Sequence, residues 1–454
     1  MAEVDVRTRT SVRPQPDVPE RSNTLLRLGE RAGRRVWPTA KALARPVALY
    51  VVSRVAIALA IGLVIDLNLG LAQHQFNGPW PTNPPGRPLF EALGMWDGGW
   101  YMRIAHNGYS TSLHPLSPYT PTVAFLPLLP VLLRITTFLT GLNVLYAGVL
   151  TSAVIGVVAS AAVWFFVRHL TDSRTADRAT ALFCFFPGAM ALSMVYTEGL
   201  LVVLAIICLV ALMRGRWLIA GVVAAAASAT SPEGLALFAC CAWAAGAAIL
   251  RRPEETAGRE PVAPQTDRTH IDHGVFDGEA APTTTRSRRR WLALIAPLLA
   301  PLGWLTYQGY LWRRTGDLTI WYTVEKKFWR GGFDPWEATF GKLGKALQHP
   351  GVFDYLVPSV GLIVLIVAAV LLWRWKPPAV VTIYAAATMA FVIASGALGA
   401  RPRFFIAAFP FIVALARPIR GAAFHALLGL SALSLGLLTI ILVSGVSPSL
   451  AFTP

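Results

Sequence analysis

Apolar residues run in blocks of about 20 along most of this chain, the length an α-helix needs to cross a bilayer core. The blocks predict crossing helices at roughly 46–68, 144–167, 178–196, 198–213, 217–232, 234–250, 291–312, 353–375, 379–399, 404–417 and 421–446. Strict apolar–polar alternation is absent, which argues against a transmembrane β-barrel. The expected fold class is therefore all-α. It is a polytopic helical bundle in the membrane with about eleven crossing helices and short juxtamembrane helices in the first outer loop.

One block is ambiguous by pattern. Residues 119–140, "YTPTVAFLPLLPVLLRITTFLT", are long enough to cross but hold Pro121, Pro127, Pro130 and Arg134. Charge separates the two readings, because short loops rich in Lys and Arg stay on the cytoplasmic side. If 119–140 does not cross, the basic turns "RHLTDSRTADR", "MRGRW", "RRPEE…RSRRR", "WRWK" and "RPIR" all share the cytoplasm with the N-terminal segment. If it crosses, all of them lie outside. The first arrangement is preferred: N-terminus in, C-terminus out, and 119–140 re-entrant or juxtamembrane, which is permitted for backbone buried in protein. The outer face then carries the loop 69–118, "YTEG", "SPEG", the loop 313–352 and "GARPRF".

Composition changes this picture little. At 55% hydrophobic and 14% charged residues, the chain is too apolar for a soluble protein of its length. Its net charge of +16 would suggest nucleic acid in a soluble protein. In a membrane protein positive-inside bias accounts for it, and no nucleic acid partner is expected. Residues 1–45 carry ten Arg or Lys against five acids and no early apolar core. They read as a basic, disordered cytoplasmic tail and not as a signal peptide. Residues 251–290 hold eight basic and seven acidic residues with many Pro and Thr, a composition for a disordered cytoplasmic linker. It joins an N-terminal transmembrane module (46–250) to a C-terminal one (291–454). Cys184, Cys208, Cys240 and Cys241 all fall in apolar blocks and read as small core residues.

Candidate chemistry gathers on the outer face. In "MWDGGWYMRIAHNGY" (residues 95–109) Asp97 stands between Trp96 and Trp100. Gly98 and Gly99 permit a tight turn, and the spacing of Trp100, Tyr101 and Ile104 predicts a short amphipathic helix after it. Local sequence leaves two roles for Asp97, a helix N-cap or a catalytic carboxylate. Glu198 in "YTEG", beside Tyr196, begins a predicted helix. It suits the helix dipole or binds a hydroxyl; Glu233 in "SPEG" is similar. His106 reads as an interfacial polar residue or a substrate contact. The loop 313–352 has seven Arg or Lys against four acids, against the positive-inside trend. Lys326, Lys327 and Arg330, with Arg401 and Arg403 at another outer helix end, are candidates for holding an anionic lipid headgroup, the alternative being interfacial snorkelling. No His–carboxylate pair has metal-ligand spacing, and neither a GxGxxG nor a Walker sequence occurs, so a nucleotide-sugar donor is not supported. No cofactor is expected, and a divalent metal is left open.

"MWDGGWYMRIAHNGY" followed by "AFLPLLPVLLR" resembles the PIG-V family of mannosyltransferases. "FPGAMALSMVYTEGLLVVL", "ATSPEGL" and "RPRFFIAAFPF" resemble later segments of that family in the right order. The chain departs from the family pattern at "SPE", at Phe404 and in "AFLP". The resemblance implies a GT-C fold and sugar transfer from a polyprenyl-phosphate mannose donor to an extracytoplasmic glycolipid, glycan or protein. It implies Asp97 as general base for an inverting displacement, with Trp96, Trp100 and Tyr101 as walls for sugar faces. Other expectations are a GT-C enzyme using another polyprenyl-phosphate sugar, and a polytopic lipid or solute transporter. Against the transporter stand the lack of a visible inverted repeat and the crowding of polar residues on one face. The Ala- and Arg-rich composition suggests a high-GC bacterium and hence a plasma-membrane location.

Overall fold

Long runs of Ala, Val, Leu and Ile without breakers wind into helices, and proline and glycine end them. The computed structural model describes residues 40–69, 88–110, 120–250, 291–329, 332–334, 336–395 and 400–444. The tail up to residue 39, much of the first outer loop, the linker 251–290 and Arg330 lie outside the described residues. The described chain runs α1 (Ala40–Asp66), α2 (Pro88–Leu93), α3 (Asp97–Asn107), a 3-10 turn (Thr120–Ala124), α4 (Leu128–Thr140), α5 (Val144–Leu170) and α6 (Ser173–Phe185). A 3-10 turn (Pro187–Leu192) leads to α7 (Glu198–Met213) and α8 (Trp217–Ser228). A third turn (Pro232–Leu235) precedes α9 (Ala236–Leu250). After the linker come α10 (Ile295–Leu299), α11 (Leu302–Thr315), α12 (Ile320–Phe328), α13 (Lys342–Gln348), α14 (Phe353–Trp375), α15 (Ala379–Ala394), α16 (Pro402–Ala407), α17 (Pro410–Ala416) and α18 (Gly421–Val443). Among the described residues there is no strand, as expected for an all-α fold, only an isolated bridge between Phe333 and Ser395. Helices from the two sides of the linker pack together, α1 on α18 and α9 on α15. The four cysteines are free and buried.

Among the described residues five helices are long and apolar enough to cross a membrane: 42–66, 144–170, 232–250, 353–375 and 421–443. The pair α10–α11, bent by 42°, makes a sixth if it counts as one span. α4, α7, α8 and α15 are apolar but shorter. α4, the core of the ambiguous block, has 13 residues. At 1.5 Å per residue it reaches about 20 Å, short of a hydrocarbon core of about 30 Å.

Three expected spans are broken at prolines among the described residues; the block 291–312 parts into α10 and α11 at Pro301. The block 178–196 begins earlier, at Ser173, behind an Asp172 N-cap whose side chain accepts from Thr175 N–H. It ends as helix at Phe185 because Pro187 has no N–H and its ring clashes with the preceding turn. The block 404–417 is split into α16 and α17 at Pro410. The break at Pro187 frees carbonyls inside the bundle, and α1 satisfies them. Arg54 donates to the Cys184 carbonyl (3.0 Å), the Ala189 carbonyl (2.8 Å) and Ser193 Oγ (2.7 Å). Tyr50 donates to the Leu192 carbonyl (3.1 Å) and lies 4.8 Å beneath the Arg54 guanidinium. An arginine in an apolar helix is tolerated only with such partners.

Candidate active site

α3 begins at Asp97, and the residue before it is the unusual one. Trp96 has φ 57° and ψ −127°, a left-handed φ that a bulky residue rarely adopts. Its indole N–H donates to the Leu442 carbonyl of α18 (3.1 Å). Trp96 is thus committed to the last helix. Gly98 lies against Val195; a Cβ there would come within 3.3 Å of the valine Cβ. Val195 N–H in turn donates to the Leu93 carbonyl (3.2 Å). The head of α3 is therefore docked onto the segment that leads into α7.

Asp97 does not cap its helix. It is the first helical residue, and no side-chain cap bond forms at that end. Its backbone N–H donates to the Tyr196 hydroxyl (3.4 Å), and its carboxylate Oδ2 accepts from Arg403 NH1 at 2.6 Å. Glu198, the first residue of α7, points at the same guanidinium, Oε1 to Nε 3.7 Å. Its other oxygen is buried without a partner. The Arg403 guanidinium also lies 5.5 Å from the centre of the Tyr196 ring and 4.7 Å from that of Phe404. Side-chain exposure falls from 26% at Asp97 to 15% at Arg403 and 8% at Glu198, so Asp97 is the outermost of the three. Burial works to lower the basicity of Arg403, but Asp97 and Glu198 outweigh it and hold the group above its usual range. Arg403 owes its place to α16, whose first turn packs on the 187–192 turn; Gly188 meets the Pro402 carbonyl so closely that no Cβ fits.

A second ion-pair chain adjoins the first. Arg401, buried, lies 3.6 Å from Asp354, which also accepts from Lys342 (3.0 Å). Burial lowers Arg401 to about 10, with Asp354 opposing the shift. Below Arg403 a small apolar crevice of about 20 Å³, room for about one water, is lined by Pro187, Met190, Met194, Leu438 and Leu442, with Tyr196 and Arg403 as its polar members.

Aromatic rings build the other wall. Trp100 stacks on Phe125 (6.1 Å) and meets Trp329 edge-on (6.0 Å); Tyr101 and Trp329 both meet Phe125 edge-on (5.0 and 5.4 Å). Glu233 is buried in the 232–235 turn. Glu325, on α12, is raised to about 8, first by burial and then by the charges of Glu233 and Asp97.

The structure thus brings together Asp97, Tyr196, Glu198 and Arg403, with Trp100, Tyr101 and Glu233 around them. It does not bring His106, which is exposed in the last turn of α3, about 13 Å along the axis from Asp97. Lys326 and Lys327 are exposed at the end of α12. The cation on Asp97 is Arg403, which sequence reasoning grouped with a phosphate and not with the acid. Glu325 and Trp329, in "YTVEKKFWRGG", are not among the residues expected from the sequence; the signal for them is an acid with tryptophans four residues to either side. Among the described residues no cluster of three His, Cys, Asp or Glu side chains has metal-binding geometry.

Residues 84–249 match the family model described as Mannosyltransferase (PIG-V). No curated protein matches the chain.

Proposed function

We propose that this membrane protein, whose residues 84–249 match the PIG-V mannosyltransferase family, takes mannose from a polyprenyl-phosphate donor. It passes the sugar to a hydroxyl of an extracytoplasmic acceptor. Mannosyl transfer follows from the family; donor, acceptor side and mechanism are our reading. The observation that carries it is Asp97, held at the head of α3 within the matched stretch, partly open to solvent, beside a buried arginine and an aromatic wall.

In this reading Asp97 accepts the proton of the acceptor hydroxyl as its oxygen attacks the mannose C1. The C1–O bond to phosphate breaks on the opposite face, and the electron pair leaves with the lipid phosphate. One displacement inverts the anomeric centre, so a β-linked donor gives an α-mannoside. The leaving phosphate needs cations more than an acid. Arg403, with its forked donors, is the best placed, and Arg401 stands beside it. In the resting arrangement Arg403 is held by Asp97, so the phosphate must compete for it.

The direct test is transfer from radiolabelled polyprenyl-phosphate mannose by membranes with and without the protein. Protein-dependent label in an acceptor supports the reading. Label from another polyprenyl-phosphate sugar alone would replace mannose, and no transfer from any of them would remove the function.

A further inference from the structure

α12 carries Trp321 and Glu325, and Trp329 caps its C-terminus; at steps of four residues the three fall along one face. That face is laid against the 120–125 segment and α3. Trp321 donates its indole N–H to the Ala124 carbonyl (3.3 Å), and α12 packs on the 120–124 turn. Trp329 closes edge-on against Trp100 and Phe125, and its own indole N–H is buried with no acceptor. Glu325 lies between the two tryptophans, half-buried, where it feels the charges of Glu233 and Asp97. Lys326 and Lys327 follow it into solvent.

We propose that the Trp321–Glu325–Trp329 face of α12, with Trp100 opposite, is a subsite for a neutral pyranose, the terminal sugar of the acceptor. The proposal rests on the transfer reaction above and specifies its acceptor side. A pyranose has a C–H face and a rim of hydroxyls. Indole rings cover the first, and a carboxyl group binds vicinal hydroxyls of the second. The unpaired Trp329 N–H supplies a further donor for a sugar oxygen once the rings part to admit it. Charge separates this subsite from the donor's: Arg403 suits an anionic phosphate, whereas the charges of Glu233 and Asp97 felt at Glu325 disfavour one. With Glu325 raised to about 8, its carboxyl is neutral at pH 7 and both donates and accepts, as a polyol requires.

The test uses the full chain in nanodiscs and reads binding without turnover. Ligand-observed saturation-transfer NMR follows methyl α-mannoside, methyl β-glucoside and methyl β-galactoside, and a separate titration follows polyprenyl phosphate. We expect at least one glycoside to bind saturably. Glu325→Ala and Trp329→Phe should weaken it roughly tenfold or more, the loss of a good polar contact or a stacking wall. Glu325→Gln should keep most of the affinity, since the amide also donates and accepts. Polyprenyl phosphate should bind all three variants as it binds the wild type, which also certifies their fold. Glycosides that bind the variants as well as the wild type, or none that binds at all, would overturn the subsite. If glycosides bind as expected but no mannose is transferred, the transferase reading falls and the sugar site stands.

Discussion

Arg403 cannot give its full charge to Asp97 and to a phosphate at once, and this makes the sign of one mutational effect diagnostic. If Arg403 holds the donor phosphate, removing the Asp97 charge should tighten binding of the anionic product, polyprenyl phosphate. Removing Arg403 should weaken it. The contact at stake is the 2.6 Å bond from NH1 to Oδ2. Hydrogen bonds to charged groups are worth about 1.5–3 kcal/mol net. Asp97 is 26% exposed and Arg403 15%, so solvent screens part of the pair, and Glu198 stays 3.7 Å from Nε. The lower end, about 1.5 kcal/mol, is the appropriate figure, or about tenfold in Kd. Asp97→Asn should therefore bind polyprenyl phosphate about tenfold more tightly while its turnover falls about 100- to 10,000-fold, the usual share of a general base. Arg403→Gln should bind the lipid phosphate at least about tenfold more weakly. Equilibrium binding of tritiated polyprenyl phosphate in nanodiscs measures the first quantity, and transfer from labelled donor the second. An Asp97→Asn protein that binds the lipid phosphate no better than wild type takes the phosphate off Arg403. One that turns over normally shows that Asp97 is not the base.

Three further outcomes follow from the same geometry. Gly188→Ala should shift the Pro402–Arg403 backbone, costing about 1–3 kcal/mol of overpacking and raising the donor KM, whereas an unchanged donor KM would show that Arg403 does not depend on that contact. Cysteines placed singly at Leu142, Asp172 and Arg214, with the native cysteines removed, should react with an impermeant outside reagent only at 142. Because the Arg403–Asp97 contact holds both parts of the site on one side, the reverse pattern would turn the whole site toward the cytoplasm and refute the extracytoplasmic acceptor. Glu325 loses its proton as pH passes about 8, so the acceptor KM should climb above that pH and the climb should vanish in Glu325→Gln. For the same group the folded state keeps a proton that the unfolded chain has lost between 4.5 and about 8, so its share of stability falls as pH rises through that window. A thermal-inactivation series should show a shallower slope in the variant.

Helix existence was legible because apolar blocks are long and breakers are few; α14 spans residues 353–375 as the pattern alone indicates. Helix ends inside the blocks were less so. Periodicity counts apolar residues and does not weigh one proline, so the pattern misses the breaks at Pro187, Pro301 and Pro410. Arg54 was passed over for a related reason. Its role depends on carbonyls freed some 130 residues later, a debt created by tertiary folding and invisible in its own helix. Asp97 stood out because an acid in an aromatic setting is rare in so apolar a chain. Its partner did not, because ion pairs between residues 306 positions apart leave no local periodicity.

The breaks and the site are one construction. An unbroken helix through 187–192 would carry its side chains past the level of Asp97. The turn at Pro187 instead seats α16, and Gly188 lets the backbone before Arg403 come close enough for its guanidinium to reach Asp97. The family match ends at residue 249 and contains the acid, Glu198, Glu233 and Trp100. Arg403, Glu325, Trp329 and the Leu442 carbonyl that holds Trp96 all come after the linker. The matched stretch alone would leave Asp97 without its cation and Trp96, with its left-handed backbone, without its tether. The C-terminal helices therefore complete the site, supplying the positive charge and one aromatic wall to a carboxylate the N-terminal part presents.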